Sequence, residues 1–216
     1  MGELVLVRHG QANSAAQDED GYDRLSDLGH QQARWLGDWL RSHDAPFDRV
    51  LTGSLRRHRE TLAAMGDMGA APEIDPRLNE LDYFNLTQAH AAKNGTPPAT
   101  PENFVHHITD VMKAWQRAEI QGNESYLDFE SRVAEMLTIA ARPGRRVLCV
   151  TSGGVIGMMA RHLLDLDIAR MAHLLVPIRN CSIHRVMVLP EAQILSGFNA
   201  TPHLDTPDRL HARTEY

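Results

Sequence analysis

A histidine flanked by an arginine and a glycine closes the first apolar segment of this 216-residue chain. Arg8-His9-Gly10 directly follows Leu4-Val5-Leu6-Val7, a run that predicts a buried strand over residues 3–7. Such a strand delivers an imidazole, which can act as a nucleophile, and a fixed cation into one strand-to-loop turn. The tripeptide by itself is equally compatible with an exposed turn that carries a solvated histidine. The rest of the chain decides between these two interpretations.

Two further turns of the same character follow predicted strands. Residues 52–57 read Thr-Gly-Ser-Leu-Arg-Arg, and residues 151–154 read Thr-Ser-Gly-Gly at the start of a predicted helix. Because ligands bind beyond the carboxyl ends of parallel strands, the three turns are expected to converge if their strands are neighbours. Together they supply guanidinium groups, an imidazole, hydroxyls and helix N-terminal N–H groups. This combination is typical of a phosphate-binding site.

Strands and helices alternate along the chain and must position these turns. The pattern predicts an α/β fold, a three-layer sandwich with a mostly parallel central sheet flanked by helices. Ser26 is the expected N-cap of the first helix. We predict that residues 84–104 form a weakly ordered insertion or lid and that residues 199–216 are irregular, because both stretches are rich in polar or turn-forming residues. The other predicted strands are 47–51, 145–151, 181–189 and an antiparallel 193–198, with an extended piece at 72–78; the predicted helices are 28–41, 54–65, 102–118, 126–141 and 154–164.

Composition argues against several classes of protein. The chain is 43% hydrophobic and 23% charged, as globular domains are, and its formal charge of −6 argues against a nucleic-acid partner. It contains no apolar stretch of about 20 residues and no signal-peptide pattern, so we expect no membrane partner and a cytoplasmic location. Cys149 and Cys181 lie in strand-like runs and are predicted to be buried, reduced thiols. No zinc-binding spacing is present.

Four blocks of sequence, in order, resemble the histidine phosphatase superfamily, also called the phosphoglycerate mutase-like family. They are residues 6–13, residues 25–33, residues 54–61, and Leu78-Asn79-Glu80. Gly53, just before the third block, stands where the family usually has serine. The resemblance covers residue 4 to about residue 190. It implies a phosphoglycerate mutase-like fold, with residues 1–216 forming a single domain that carries a cap-like insertion around 83–125.

The resemblance also implies roles for individual residues. His9 would be the catalytic nucleophile and form a phosphohistidine, and Glu80 would protonate the leaving oxygen and later activate water. Arg8 and Arg57 would clamp the phosphoryl oxygens through bidentate contacts, which lysine provides less well. Neither a metal nor an organic cofactor is implied. The remaining phosphate-binding residues would be Asn13, Ser152 and Gly153.

One departure from the family concerns its second histidine. The family usually carries Ser-His-Gly-Gly after the third strand, and Ser152 stands here at the histidine position. A hydroxyl can hydrogen-bond to a phosphate oxygen, but it brings no positive charge. His58 is a candidate substitute, although successive helical residues such as Arg57 and His58 point about 100° apart. The alternative is that His58 is exposed on a basic helix face.

A second departure follows Glu80. Phosphoglycerate mutases carry several basic residues here that bind the substrate carboxylate, whereas residues 81–104 offer Lys93 and two weaker candidates, Asn85 and His90. Asp82 would repel a second acidic group. The start of the segment is dominated by apolar side chains, namely Leu81, Tyr83, Phe84 and Leu86.

These features predict a phosphomonoester hydrolase that acts through a phosphohistidine on a phosphorylated small molecule. We expect a monomer or a homodimer. Two alternatives remain open. One is a phosphate-binding protein with little turnover, because the second histidine is absent. The other is phosphoryl transfer of the phosphoglycerate mutase type.

Overall fold

A mixed sheet runs through the molecule. The computed structural model describes residues 1–13, 16, 19–95, 99–100 and 102–215. Strand order across the sheet is β3-β2-β4-β1-β5-β6. Strands β1 to β4 run parallel to one another, β5 is antiparallel to β1, and β6 is antiparallel to β5. The predicted fold class is therefore confirmed. Within the described residues the strands are β1 (Gly2–Arg8), β2 (Arg49–Thr52), β3 (Pro72–Ile74), β4 (Arg146–Thr151), β5 (Ile183–Val188) and β6 (Gln193–Ala200).

Helices cover both faces of the sheet. The helices over residues 27–43 and 56–65 pack on one face, and the helices from residue 83 onward pack on the other. Short 3-10 turns follow in the C-terminal stretch, and no helix among the described residues is both long and apolar enough to cross a membrane. The helices are α1 (Glu19–Tyr22), α2 (Asp27–His43), α3 (Arg56–Met65), α4 (Tyr83–Asn94), α5 (Phe104–Gln116), α6 (Tyr126–Ala140), α7 (Gly153–Leu164) and α8 (Ile168–Leu175).

The first strand shows why the sheet is buried on both sides. Leu4 and Leu6 join the apolar cluster beneath α4 to α8, whereas Val5 and Val7 join the cluster beneath α2 and α3. Successive side chains of a strand point to opposite faces, so a continuous apolar run is what a doubly covered strand requires. The three-layer arrangement follows directly from this run.

The parallel register brings the three polar turns together. Arg8, the last residue of β1, pairs with Thr151, the last residue of β4, and Thr52 at the end of β2 pairs with Val150 of β4. The chain therefore leaves β1, β4 and β2 side by side at one edge of the sheet. Ser26 caps α2 as predicted, since its hydroxyl accepts a hydrogen bond from the Gly29 N–H at 3.0 Å.

The first half of the stretch 84–104 is helical, which differs from the sequence expectation. Asp82 caps α4 by accepting a hydrogen bond from the Asn85 N–H at 3.3 Å, and Gly95 ends the helix with a φ of 62°. Leu86 is completely buried in the apolar cluster. Two caps and a buried anchor stabilise this helix, and the loop signals of the stretch, Gly95 and three prolines, all follow its last residue. The single domain over 1–216 with a cap-like insertion around 83–125 stays a prediction.

The two cysteines are buried free thiols, as predicted. Burial raises the pKa of Cys149, in the middle of β4, to about 12, so this thiol stays protonated. Cys181 lies in the turn before β5, with a φ of 56°, rather than inside the strand. Its backbone N–H donates to the carbonyls of Arg8 and His9, so Cys181 helps to hold the first polar turn.

Candidate active site

A cavity of about 290 Å³ opens at the edge of the sheet where the polar turns meet. Its polar end contains five of the residues that the sequence singled out for catalysis or phosphate binding, together with Gly154 at the start of α7 and Glu215. Its other end is apolar. The polar end is lined by Arg8, His9, Arg57, Glu80, Gly153, Gly154 and Glu215, and the apolar end by Ala16, Tyr22, Leu81, Tyr83, Phe84, Phe104, Ile108 and Leu175.

His9 is almost completely buried, with 2% of its surface exposed. Its Nδ1 lies 2.8 Å from the carbonyl oxygen of Gly10. Because a carbonyl only accepts, Nδ1 must carry the proton and Nε2 must carry the lone pair. Burial, together with the positive charges of Arg57 and Arg8, lowers the pKa of His9 well below its usual value. His9 is therefore a neutral imidazole with a free nucleophilic nitrogen.

Arg8 is held at the end of β1 by backbone carbonyls. Its Nη1 donates to the carbonyl oxygen of Ile178 and, at 2.6 Å, to that of Glu215. Its Nε is buried and has no hydrogen-bond partner within the described residues. A Cβ atom built on Gly153 would lie 3.8 Å from this Nε, which places the open donor beside the start of α7. An oxygen of a bound anion would satisfy it.

Arg57 is completely buried in the first turn of α3. Its Nη1 lies 3.2 Å from Oδ1 of Asp23, and its guanidinium carbon lies 5.0 Å above the ring of Tyr22. Asp23 also accepts hydrogen bonds from the backbone N–H groups of Arg56 and Arg57, at 2.8 and 3.1 Å. Asp23 thus fixes the start of α3, a contact that no sequence motif had indicated.

Glu80 points its carboxylate at the start of α7. Both of its oxygens lie 3.0–3.1 Å from the Gly154 nitrogen, and Oε1 also accepts from the Leu81 N–H at 2.9 Å. A Cβ atom on Gly154 would lie only 2.2 Å from Oε1, so a side chain at this position would displace the carboxylate. The carboxylate therefore lies in the cavity wall with a defined orientation.

Arg132 of α6 holds the loop that carries Glu80. Its Nη1 donates to the carbonyls of Arg77 and Asn79, each at 2.8 Å, and its Nη2 pairs with Glu124 at 2.6 Å. The Thr151 hydroxyl supports the same loop by donating to the Leu78 carbonyl at 2.6 Å. The sequence analysis missed Arg132, since a single arginine on a polar helix face carries no local signal.

Ser152 lies at the N-cap position of α7, but its hydroxyl makes no capping hydrogen bond. Instead its Oγ is 2.6 Å from Nε2 of His58. Both residues are completely buried, so His58 is not the exposed histidine of a basic helix face. The centroids of the His58 and His9 rings lie 5.7 Å apart. Gly53 was the signal in the sequence for a buried His58, because a Cβ atom built at position 53 would lie 2.1 Å from Nδ1 of His58.

Asn13 and Ser152 are the two predicted phosphate ligands that do not line the cavity. Asn13 makes its contacts elsewhere. Its Nδ2 donates to the carbonyl of Gly21 at 3.0 Å, and its backbone N–H donates to that of Arg24 at 3.0 Å. It does not line the cavity. A phosphate-binding role for Asn13 stays a prediction.

Six of the eight side chains at the apolar end, all except Ala16 and Leu81, form what we call the apolar wall of the cavity. Tyr22 meets Phe84 edge-on at 6.1 Å, and Tyr83 meets Phe104 in the same way at 6.4 Å. Of the apolar residues that the sequence pointed to, Leu86 is buried in the core instead. Three members come from α5 and α8, too far along the chain for sequence spacing to connect them. The apolar wall consists of Tyr22, Tyr83, Phe84, Phe104, Ile108 and Leu175.

The basic residues considered as carboxylate ligands lie away from the cavity. The ammonium group of Lys93 donates to the Glu119 carbonyl at 3.0 Å, and His90 packs against His107 with ring centroids 6.0 Å apart. Asn85 donates to the carboxylate of Asp82 at 2.8 Å. None of the three candidates, Lys93, His90 and Asn85, lines the cavity.

Comparisons with known proteins agree with this architecture. A sequence model of the histidine phosphatase superfamily (branch 1) matches residues 4–201. The chain is 31% identical over 188 residues to a 2,3-bisphosphoglycerate-dependent phosphoglycerate mutase of Methylorubrum populi, covering 77% of this chain and 84% of the relative. It is 30% identical over 176 residues to an adenosylcobalamin/alpha-ribazole phosphatase of Salmonella typhi, covering 79% and 83%. A mutant phosphoserine phosphatase of Entamoeba histolytica, solved in complex with phosphoserine, has a similar fold, with a TM-score of 0.69 at 20% identity over 94% of this chain and 100% of that chain.

Proposed function

Since this chain belongs to the histidine phosphatase superfamily, we propose that it hydrolyses phosphomonoesters with His9 as the nucleophile. The observation that carries the proposal is the state of His9: a buried, neutral imidazole whose Nδ1 is fixed on the Gly10 carbonyl. Its lone pair at Nε2 lies in a cavity that also contains two guanidinium groups. A neutral nucleophile among fixed positive charges suits a dianionic phosphate ester.

In the first step, Nε2 of His9 attacks phosphorus and forms a P–N bond. The ester P–O bond breaks, its electron pair goes to the leaving oxygen, and a protonated Glu80 supplies the proton. Arg8 and Arg57 stabilise the charge on the non-bridging oxygens, with the N-terminal N–H groups of α7 beside them. The products of this step are a free alcohol, a phosphohistidine and a Glu80 carboxylate.

In the second step, the Glu80 carboxylate takes a proton from a water molecule whose oxygen attacks phosphorus. The P–N bond breaks and its electron pair returns to Nε2, so His9 is neutral again. Inorganic phosphate leaves, and Glu80 is protonated for the next cycle. Arg132 and Thr151 hold the Glu80 loop in place through both steps.

The apolar wall supports a substrate whose alcohol portion is apolar or aromatic. Four aromatic side chains, Tyr22, Tyr83, Phe84 and Phe104, line the cavity. A glycerate substrate carries a carboxylate that needs a cation, and the guanidinium groups that line the cavity, Arg8 and Arg57, are both at its phosphoryl end. A hydrolase therefore fits the cavity better than a phosphoglycerate mutase.

Phosphoglycerate mutase activity is the second candidate, because several relatives of about 30% identity carry that name. The two activities differ in the acceptor of the phosphoryl group, which is water for a hydrolase and a sugar-acid hydroxyl for a mutase. A mutase also needs a phosphorylated primer. The cytoplasmic location and the monomeric or dimeric state stay predictions.

The test is turnover of a panel of phosphate esters, with phenyl phosphate and 3-phosphoglycerate as the two extremes. We expect release of inorganic phosphate from phenyl phosphate, and we expect this release to be lost in His9→Ala.

Rapid quenching with labelled substrate should trap an acid-labile adduct on His9. Label on Ser152, or turnover without an adduct, would contradict the mechanism. Transfer of label from a bisphosphorylated primer to phosphoglycerate would favour the mutase. Oxyanion binding without turnover of any ester would identify a phosphate-binding protein.

A further inference from the structure

His58 and Ser152 form a buried pair directly behind the polar end of the cavity. The Nε2···Oγ distance is 2.6 Å, and neither residue is exposed to solvent. Ser152 follows Thr151, which pairs with Arg8 across the sheet, and it precedes Gly153, which lines the cavity. The pair does not itself line the cavity, but it adjoins the phosphoryl end through Gly153 and lies beside the ring of His9.

The space for the His58 ring exists only because residue 53 is glycine. A Cβ atom on Gly53 would lie 2.1 Å from Nδ1 and 2.9 Å from Cε1 of His58, far inside van der Waals contact. That Nδ1 is buried and has no hydrogen-bond partner in the described part of the chain. The side chain therefore makes its hydrogen bond through Nε2 alone, and that bond goes to Ser152.

We propose that His58 is a positioning residue: its Nε2–H donates to Ser152 Oγ and thereby turns the serine hydroxyl hydrogen toward an oxygen of the phosphoryl group held beside His9. This rests on the proposed function, since it assigns a new member to the same phosphoryl site. A serine hydroxyl has one hydrogen to donate and two lone pairs to accept with. If Nε2–H occupies one lone pair, the hydroxyl hydrogen is left for an acceptor in the cavity.

The environment of His58 is consistent with a neutral ring. Burial, followed by the positive charge of Arg57, lowers the pKa of His58 well below its usual value. A neutral imidazole carries one N–H, and the side of the ring pressed against Gly53 offers no acceptor for it. Placing the hydrogen on Nε2 gives it an acceptor in Ser152. The reverse arrangement, in which the serine donates to Nε2, would turn only lone pairs toward a phosphate oxygen.

The first experiment measures the affinity for inorganic phosphate and vanadate by calorimetry. His58→Leu keeps the bulk of the side chain but removes its N–H, whereas His58→Gln places an amide N–H near the Nε2 position. We expect His58→Leu and Ser152→Ala each to weaken oxyanion binding by about 10- to 100-fold, the range for a hydrogen bond to a charged group. The Leu/Ala double variant should bind no worse than Ser152→Ala alone. His58→Gln should recover most of the affinity.

Two outcomes of that experiment would overturn the proposal. Equal affinities for the Leu and Gln variants would mean that His58 only fills space, and additive losses in the double variant would mean that the two side chains act independently. If the wild-type protein binds neither oxyanion, the proposed function itself fails. If the wild type binds and His58→Leu binds equally well, only the role of His58 fails.

The second experiment tests the arrangement itself. Nitrogen NMR of labelled protein should show Nε2 of His58 protonated and Nδ1 bare, and the opposite tautomer would overturn the proposal. Gly53→Ala should weaken oxyanion binding as His58→Leu does, because the new methyl group displaces the ring. In a His58→Ala background the same Gly53→Ala change should have much less effect, with only the 2.8 Å approach to Asn79 Oδ1 remaining. Equal effects in both backgrounds would contradict the steric argument.

Discussion

Replacing Glu80 by glutamine separates proton transfer from the placement of the side chain. Glutamine has the same shape, and its carbonyl oxygen can keep the contacts of Oε1 with the N–H groups of Gly154 and Leu81, at 3.0 and 2.9 Å. The amide cannot act as an acid in the first step or as a base in the second. We therefore expect folding to be preserved while the chemistry is lost.

The size of the loss follows from the geometry. Backbone N–H groups already orient the Glu80 carboxylate, so the side chain needs little reorganisation before it transfers a proton. General acid catalysis is typically worth about 10²- to 10⁴-fold, which corresponds to about 3–5 kcal/mol of barrier. Glu80→Gln should slow the phosphorylation step of alkyl phosphates by that factor. Nitrophenyl phosphate should suffer less, because its leaving group needs no proton.

The measurement is single-turnover formation of the phosphoenzyme, since in the proposed mechanism Glu80 also activates water and would affect steady-state turnover through that second step. Asp82→Asn is the matched control: this carboxylate lies two residues away, caps α4, and does not line the cavity. It should leave the difference between alkyl and nitrophenyl esters unchanged. Equal and small losses for both esters in Glu80→Gln would refute the role of Glu80, and a selective loss in Asp82→Asn would transfer that role to Asp82.

Three further results are expected. Ser152→His alone should lower activity, because the space is occupied by His58, and adding His58→Ala should restore part of it; an active single variant would contradict this packing. Phe104→Ala should raise KM for phenyl phosphate and leave KM for a small alkyl phosphate nearly unchanged, whereas equal changes would mean that the apolar wall does not select substrates. Burial lowers the pKa of His184 to about 3 and that of His203 to about 4, so the unfolded chain takes up protons first as the pH falls below about 6.5. The free energy of unfolding, measured in urea, should therefore drop by about 2 kcal/mol per histidine between pH 8 and pH 5, and a constant value would contradict the neutral state of these rings.

Much of the site could be predicted from the sequence because the relevant signals are local. An apolar run followed by Arg8-His9 indicates a strand with its polar turn, and a Gly-Gly pair before an amphipathic segment indicates a helix start with free N–H groups. Parallel pairing then brings such turns to one edge by geometry alone. Arg8, His9, Arg57, Glu80 and Gly153 all line the cavity, which agrees with their predicted locations.

Other features depend on contacts between distant parts of the chain. The helix over Tyr83–Asn94 directly precedes the glycine and prolines that predicted a loop, and it is stabilised by its caps and by burial of Leu86 against other helices. Arg132 lies more than 50 residues from the loop it holds. The apolar wall combines Tyr22, the last residue of α1, with residues of α4, α5 and α8.

The sequence by itself determined the family, the alternation of strands with the longer helices of the sheet layers, and the residues at the ends of the strands, because hydrophobic periodicity and turn chemistry act over a few residues. Only the tertiary structure decided the surroundings of His58. Helical geometry placed its side chain about 100° away from that of Arg57, yet α3 packs against the sheet so closely that both residues are buried. Gly53 and Ser152, which looked like two unrelated departures from the family, lie on either side of the same imidazole. Burial is a property of the packed surfaces, and residues 53, 58 and 152 come into contact only when the layers assemble.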